Sequence, residues 1–206
     1  MKLNNLDYMR LHAIALYYYD DGGRVTGSNE WSGTEVPRFH LARTEAGNFS
    51  LFRHDVSDRV VEQVRQYVER EPALDDCEIE PVYRDAYIEL LSSQGPVDLV
   101  WGGPAYRFPN KATRSAETVV AIDEANAHLL EAHMSDWLPD VPHRQPFVAV
   151  VEAGHAVSVC ASVRITPQAH EAGVETASMY RGKGHAAQAV AAWSRRIQSM
   201  GAEPIY

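Results

Sequence analysis

The sequence predicts an α/β (α+β) protein in two parts. In several segments apolar residues recur every three or four positions, the spacing of a helix with one buried face. From Phe147 onward the pattern changes to period two, the spacing of a half-buried strand. Near the C-terminus two glycines, Gly182 and Gly184, join a short extended run to another helical pattern.

Taken in order, Leu3, Leu6, Met9, Ala13 and Leu16 predict a helix within Met1 to Tyr19. Asp20-Asp21-Gly22-Gly23 then reads as a turn. Between Arg24 and Phe52, short aromatic and β-branched pieces broken by Gly27, Gly33, Pro37 and Gly47 predict small strands or a meander. Ser57 is placed to cap a helix over Asp58 to Arg70, with Val60, Val61, Val64 and Val68 on one face and Pro72 beyond it. A second helix is expected over Val82 to Ser92. Gly95-Pro96 and Gly102-Gly103-Pro104 bracket Val97 to Trp101 as a brief buried strand. Phe108-Pro109-Asn110-Lys111 has linker character and predicts a boundary between domains at 1–110 and 111–206.

The second part starts with a helix expected over Asp123 to Trp137, carrying Ala127, Leu130, Met134 and Trp137 on one face. Pro139, Pro142 and Pro146 exclude a regular helix after it. Phe147 to Glu152, a turn at Ala153-Gly154-His155 and Ala156 to Arg164 predict an antiparallel hairpin. Its second strand sends Val157, Val159, Ala161 and Val163 one way and Ser158, Cys160 and Ser162 the other. His170 to Thr176 supplies a third strand. A helix over Gly184 to Met200 turns Ala186, Ala189, Val190, Trp193 and Ile197 to one side, and Pro204-Ile205-Tyr206 begins a further strand.

Composition narrows the function classes. The 206 residues are 45% hydrophobic and 23% charged, enough for a packed core, with a net charge of -9. That acidity argues against a general nucleic-acid binder, which needs a basic face. Cys77 and Cys160 make no disulfide framework or zinc spacing, so a reducing, cytoplasmic setting is expected. The apolar run Leu11 to Tyr19 is too short and too aromatic for a membrane span. His128 and His133, five apart, do not share a helical face as metal ligands would, and no metal site is expected. Tyr17-Tyr18-Tyr19 and Trp31 are read as packing residues rather than a pocket lining.

The stretch that carries chemistry is Gly173 to Ala186. Glycines at 182 and 184 remove side chains where a backbone has to approach a ligand. The free amides of the following helical turn point outward together, and the helix dipole adds positive charge, which makes a cradle for phosphate. Arg181 and Lys183 add charge beside it. The pattern G-x-x-x-x-G-K-[ST] is absent, because His185 follows Gly184. Gly182-Lys183-Gly184-His185-Ala186-Ala187 approaches G-x-G-x-x-G, but no βαβ unit with an acidic ribose partner accompanies it.

Arg181-Gly182-Lys183-Gly184-His185-Ala186 resembles the R/Q-x-x-G-x-G/A signature of the GNAT superfamily of N-acetyltransferases. The hairpin, strand, motif, helix and new strand occur in that family's order, and the resemblance covers about residues 115 to 206. It implies a mixed, mostly antiparallel sheet flanked by helices, and acetyl-CoA as the acyl donor to an amine acceptor. It also implies that the amides of Arg181, Gly182, Lys183, Gly184, His185 and Ala186 hold the coenzyme A pyrophosphate. The strand edge around Val174, Glu175, Thr176 and Ala177 would pair with the pantetheine arm, one amide there polarising the thioester carbonyl. The amine has to be neutral to attack, so a base is needed. Glu175 is the first candidate and Glu171, four residues away on the same face, the second. His170 and His185 are alternatives, His185 being read rather as a first-turn residue near phosphate.

The family continues past this point with another helix and two strands, and that helix often supplies a tyrosine that protonates the leaving thiolate. Tyr206 is poorly placed to replace it. The resemblance is compatible with a homodimer and implies neither nucleic acid nor membrane as partner. Residues 1 to 110 resemble the extra domain that some members place before the catalytic one, such as a degenerate half of the same fold. A non-catalytic coenzyme A binding module and a phosphate module for another nucleotide stay open as alternatives.

Overall fold

The structure is a computed structural model that describes residues 3–74, 76, 78–108 and 119–206. Two compact units, Met1–Ala105 and Tyr106–Tyr206, make up the chain. The linker expected at Pro109 to Lys111 lies outside the described residues, as does Cys77.

In the first unit, helix α1 (Asn5–Leu16) starts in a reciprocal cap. Asn4 accepts from the Asp7 amide at 2.9 Å, and Asp7 accepts from the Asn4 amide at 3.0 Å. The helix ends at Leu16, the last residue of its apolar repeat and short of Tyr19, because Tyr17 is already extended. Tyr17–Tyr19 form strand β1, antiparallel to β2 (Val25–Ser28). Three consecutive tyrosines favour a pleated, half-buried surface over a fourth helical turn. Asp20 closes the intervening turn by accepting from the amides of Gly22 and Arg24. Strands β3 (Phe39–Thr44) and β4 (Gly47–Phe52) form a second antiparallel hairpin.

Helices α2 (Asp58–Val68) and α3 (Arg84–Ser92) close a core of Phe52, Val56, Val60, Val61, Val64, Val68, Tyr87 and Leu91. Ser57 is the N-cap residue of α2, but its side chain makes no cap bond. Residues Val97 to Trp101 are not a strand and are not buried. Leu99 is 82% exposed and Trp101 81% exposed. Among the described residues no strand pairs with this run, and an apolar sequence without a hydrogen-bonding neighbour gains nothing from extending.

Glu71 carries the buried polar load of this unit. Its carboxylate accepts from the Val82 amide at 2.7 Å, the Tyr83 amide at 3.2 Å and the Tyr87 hydroxyl at 2.9 Å. Arg43 stands 4.0 Å away. Burial, and then the bond to Glu71, push the Tyr87 phenol well above the ordinary tyrosine range.

The second unit is a five-stranded sheet in the order β5 (Val119–Ala121), β6 (Phe147–Glu152), β7 (His155–Ile165), β8 (Ala169–Thr176), β9 (Glu203–Ile205). Neighbours are antiparallel except β8 and β9, which run parallel and are joined through α4 (His185–Ser199). Mixed strand directions and flanking helices make this the α/β architecture expected from the sequence. Ala153 and Gly154, at φ 49° and 82°, turn the β6–β7 hairpin.

One sheet face packs against α4 through Val148, Val150, Cys160, Trp193 and Ile197. The other packs against two 3-10 helices, Ala127–Leu130 and Ser135–Asp140, through Phe147, Ala149, Val159, Ala161 and Trp137. Val157 joins the α4 side, against the alternation expected, because a bulge at Val150/Val151 shifts the register beside it. The helix expected over Asp123 to Trp137 is replaced by these 3-10 turns. Asp123 accepts from the amides of Ala125 and Asn126, and Asn126 returns bonds to Asp123 and Ala121. Such side-chain bonds offer the backbone an alternative to the helical ladder.

Two measurements test the first unit. Glu71→Ala strands three donors in the core and should cost about 3 kcal/mol. Faster hydrogen exchange at the Val82 and Tyr83 amides would report it, and unchanged exchange would refute it. His40 is the second case. Its Nε2 is sealed from solvent without a partner, and its Nδ1 lies 3.3 Å from the Tyr17 hydroxyl. Burial, with His12 adding a smaller effect, lowers its pKa from 6.5 to about 4. Between those values the unfolded chain binds more protons, so stability rises with pH across the window. It should therefore be lost as pH falls from about 6.5 to about 4, by up to about 3 kcal/mol. His40→Gln, which still accepts from Tyr17, should flatten that slope in denaturation curves.

Candidate functional site

The site is built at the place where β8 loses a neighbour. Strand β9 pairs only with its first residues, Ala169, His170 and Glu171. On the other side β7 follows β8 to Thr176. The Ala177 amide donates to Val157 O at 3.0 Å, so Glu175, paired with Val159, is likewise bonded to β7. By alternation the N–H and C=O groups of Val174 and Thr176 face the opposite edge. Among the described residues no strand covers that edge.

The chain then turns through the 3-10 helix Ser178–Tyr180 into the glycine junction. Gly182 and Gly184 hold φ of 77° and 81°, a conformation open to glycine without strain, and Gly184 is the N-cap of α4. The Arg181 amide is engaged, donating to Ser178 O. The next amide to donate to the backbone is that of Gln188, to Gly184 O at 3.2 Å. Among the described residues, the amides from Gly182 to Ala187 are committed to no other protein group. They include the orphan donors of the first turn of α4.

Side chains around the junction have different surroundings. The Arg181 guanidinium donates through Nε to Thr176 O at 3.1 Å, tying the motif to the open strand edge. The Lys183 ammonium lies 5.0 Å from the Tyr180 ring centre. Ala186 is exposed rather than on the buried face of α4. The His185 ring is turned inward, 7% exposed, with Nε2 3.2 Å from Glu152 Oε1. Of His185 only the amide stays uncommitted among the described residues, because the ring is buried beside Glu152.

The two carboxylates named from sequence also separate. Glu171 is ion-paired with Arg164 where β8 still has β9 beside it. Glu175 is exposed and lines a cavity of about 460 Å³ with His133, Thr176, Ser178, Met179 and Arg181. Trp137 donates to it from Nε1 to Oε2 at 2.5 Å. His170 is removed from the site altogether. It is buried, 2.9 Å from Ser162 Oγ, which also accepts from Trp193, and burial lowers its pKa. Cys160 is likewise buried, its thiol pushed far up by desolvation, which leaves it inert as a nucleophile. Tyr206 is held beside Tyr106, the rings 6.2 Å apart and the two residues bonded through their backbones.

Sequence reasoning missed His133 and the role of Trp137 at this cavity. Both come from the 3-10 region some forty residues before Glu175, and no local spacing links them to it. Among the described residues no cluster of side chains could hold a metal ion, and no helix is long and apolar enough to cross a membrane.

No family model and no curated protein matches the chain. Solved structures do. A protein assigned to the GNAT family as an acetyltransferase, from Novosphingobium aromaticivorans, is 22% identical over 50% of this chain and 46% of its own, with a TM-score of 0.39. A GNAT-family acetyltransferase from Colwellia psychrerythraea is 14% identical over 49% of this chain and 43% of its own, with a TM-score of 0.37. A GCN5-related N-acetyltransferase-like protein from Streptococcus suis is 15% identical over 91% of this chain and 75% of its own, with a TM-score of 0.42. The chain thus spans under half the length of the first two. What it is similar to, in these three cases, is a set of proteins assigned to the GNAT acetyltransferases.

Proposed function

We propose that the unit Tyr106–Tyr206 binds acetyl-CoA and transfers its acetyl group to an amine. One observation carries this reading: the uncommitted amides of Gly182 to Ala187 follow directly on the open edge of β8 at Val174 and Thr176. The first feature suits a pyrophosphate and the second an extended chain with amide groups of its own, and coenzyme A has both in that order. Each amide bond to a charged oxygen is worth roughly 1.5 to 3 kcal/mol, so a few of them anchor the ligand without side-chain help. Added open space at Gly182 and Gly184, where a Cβ would meet nothing within 4 Å, supports a ligand resting on the backbone there.

In this reading the amides of Val174 and Thr176 pair with the pantetheine arm as a neighbouring strand would. An edge amide facing the thioester oxygen favours the negative charge that develops when the amine attacks. The neutral amine forms a C–N bond to the acetyl carbon, the C–S bond breaks, and the amine's proton passes to Glu175 directly or through water. The thiolate takes a proton from solvent. Glu175 is the base because it is the carboxylate at the cavity, whereas Glu171 is bound up with Arg164.

Titration calorimetry with acetyl-CoA, with ATP and NAD as controls, tests the cofactor. Selective binding is expected, and equal binding of ATP would mean a different nucleotide module. Ala186→Glu puts a carboxylate in the first turn, where it suits the helix but repels a pyrophosphate. It should weaken acetyl-CoA binding about 100-fold, some 2.7 kcal/mol, with the unfolding midpoint unchanged. Thiol release with a panel of a polyamine, an aminosugar and lysyl and N-terminal peptides tests transfer. Glu175→Gln should lower kcat about 100-fold while acetyl-CoA affinity holds. A chain that binds acetyl-CoA yet consumes none with any amine would be a binding module instead.

A further inference from the structure

Trp137 stands in the 3-10 helix Ser135–Asp140 on the sheet face opposite α4, and it is 9% exposed. Its ring lies across β8 at Gly173. A Cβ at that glycine would sit 2.3 Å from Val163 Cγ1 and 3.0 Å from the indole Cη2, so Val163 and the indole together fill the space a side chain would need. Phe147 meets it edge-on at 5.7 Å. The Arg144 guanidinium covers it at 5.4 Å from the ring centre and is itself held by Asp140 at 3.0 Å. The indole is therefore gripped on several sides.

Gly173 and Glu175 share a face of β8, two residues apart. An indole seated on the first directs its N–H at the second, and Trp137 Nε1 reaches Glu175 Oε2 at 2.5 Å. A glutamate on an exposed strand position ordinarily samples several rotamers, and a catalytic base loses rate when its oxygen wanders. A bond from a rigid donor to one carboxylate oxygen removes that freedom and leaves the other oxygen for the cavity. A donor that only filled the core would need no exposed carboxylate as its acceptor.

We propose that Trp137, seated on Gly173, is a positioning residue that fixes the Glu175 carboxylate toward the cavity. The inference rests on the reading of Glu175 as the base, and it separates from that reading by experiment. In the full chain, side-chain couplings measured by NMR should give a single Glu175 rotamer, and the Trp137 indole proton should move upfield in Glu175→Gln. Both readings leave Trp137 intact, so they stand even where its replacement harms folding. Averaged couplings in the native chain overturn the proposal whether or not the protein transfers acetyl groups.

Trp137→Phe keeps a ring over Gly173 and removes the donor. It should average the Glu175 couplings and lower kcat roughly tenfold with KM for acetyl-CoA unchanged. In a Glu175→Gln background the same substitution should cost nothing more, because Trp137 acts through that carboxylate. A full additional loss there would overturn the positioning role. Native turnover in Glu175→Gln would instead defeat the base assignment, while the couplings would still report whether Trp137 holds the carboxylate.

Discussion

Backbone amides taken from water need acceptors, and a strand that gives up its neighbour has to leave some of them to something else. Here β9 joins β8 for its first residues only, and among the described residues Val174 and Thr176 then face an edge with no strand beside it. Helix α4 begins shortly beyond, on a glycine junction whose amides from Gly182 on are also uncommitted among the described residues. The rest of the unit holds these two sets of donors in place. The β6–β7 hairpin fixes β8 on its other edge, and α4 is fixed by Trp193, Ile197 and Ala189 against the sheet.

The two faces of the sheet carry different duties. Toward α4 the packing is dense and its polar groups are closed among themselves: Trp193 donates to Ser162, which meets His170. Toward the 3-10 helices the same sheet offers Glu175 to a cavity, with Trp137 pressed onto Gly173. A single strand thus sends one set of side chains into a sealed core and the alternate set toward a candidate reaction site, because successive residues face opposite ways. His170 and Glu171, neighbours in sequence, end in a buried network and a partly buried ion pair respectively.

The first unit is organised around a different kind of constraint. Its helices α2 and α3 meet over an apolar core, and Glu71 supplies the acceptor that the start of α3 lacks. A carboxylate with no exposed side-chain surface is tolerable because three donors converge on it. That arrangement ties Arg43, the α2–α3 connection and Tyr87 into one network.

Local pattern was enough for much of this. The valines of α2, the alternation of β6 and β8, the turn at Ala153-Gly154 and the glycine junction before α4 are legible because each depends on residues close in sequence. The uncommitted amides followed from the same logic, since every helix start has them. Other features depended on what distant residues did. The run Val97 to Trp101 looked like a strand and has no partner strand among the described residues, Tyr17–Tyr19 left their helix to pair with β2, and Asn126 and Asp123 bonded the backbone that would have made a helix. Alternation puts Glu171 and Glu175 on one strand face, and the tertiary structure gives them different surroundings, Arg164 on β7 for the first and Trp137 on a 3-10 turn for the second. Periodicity determines which way a side chain points within its own element; what it meets there is decided by chain segments that the folding of the whole unit brings alongside.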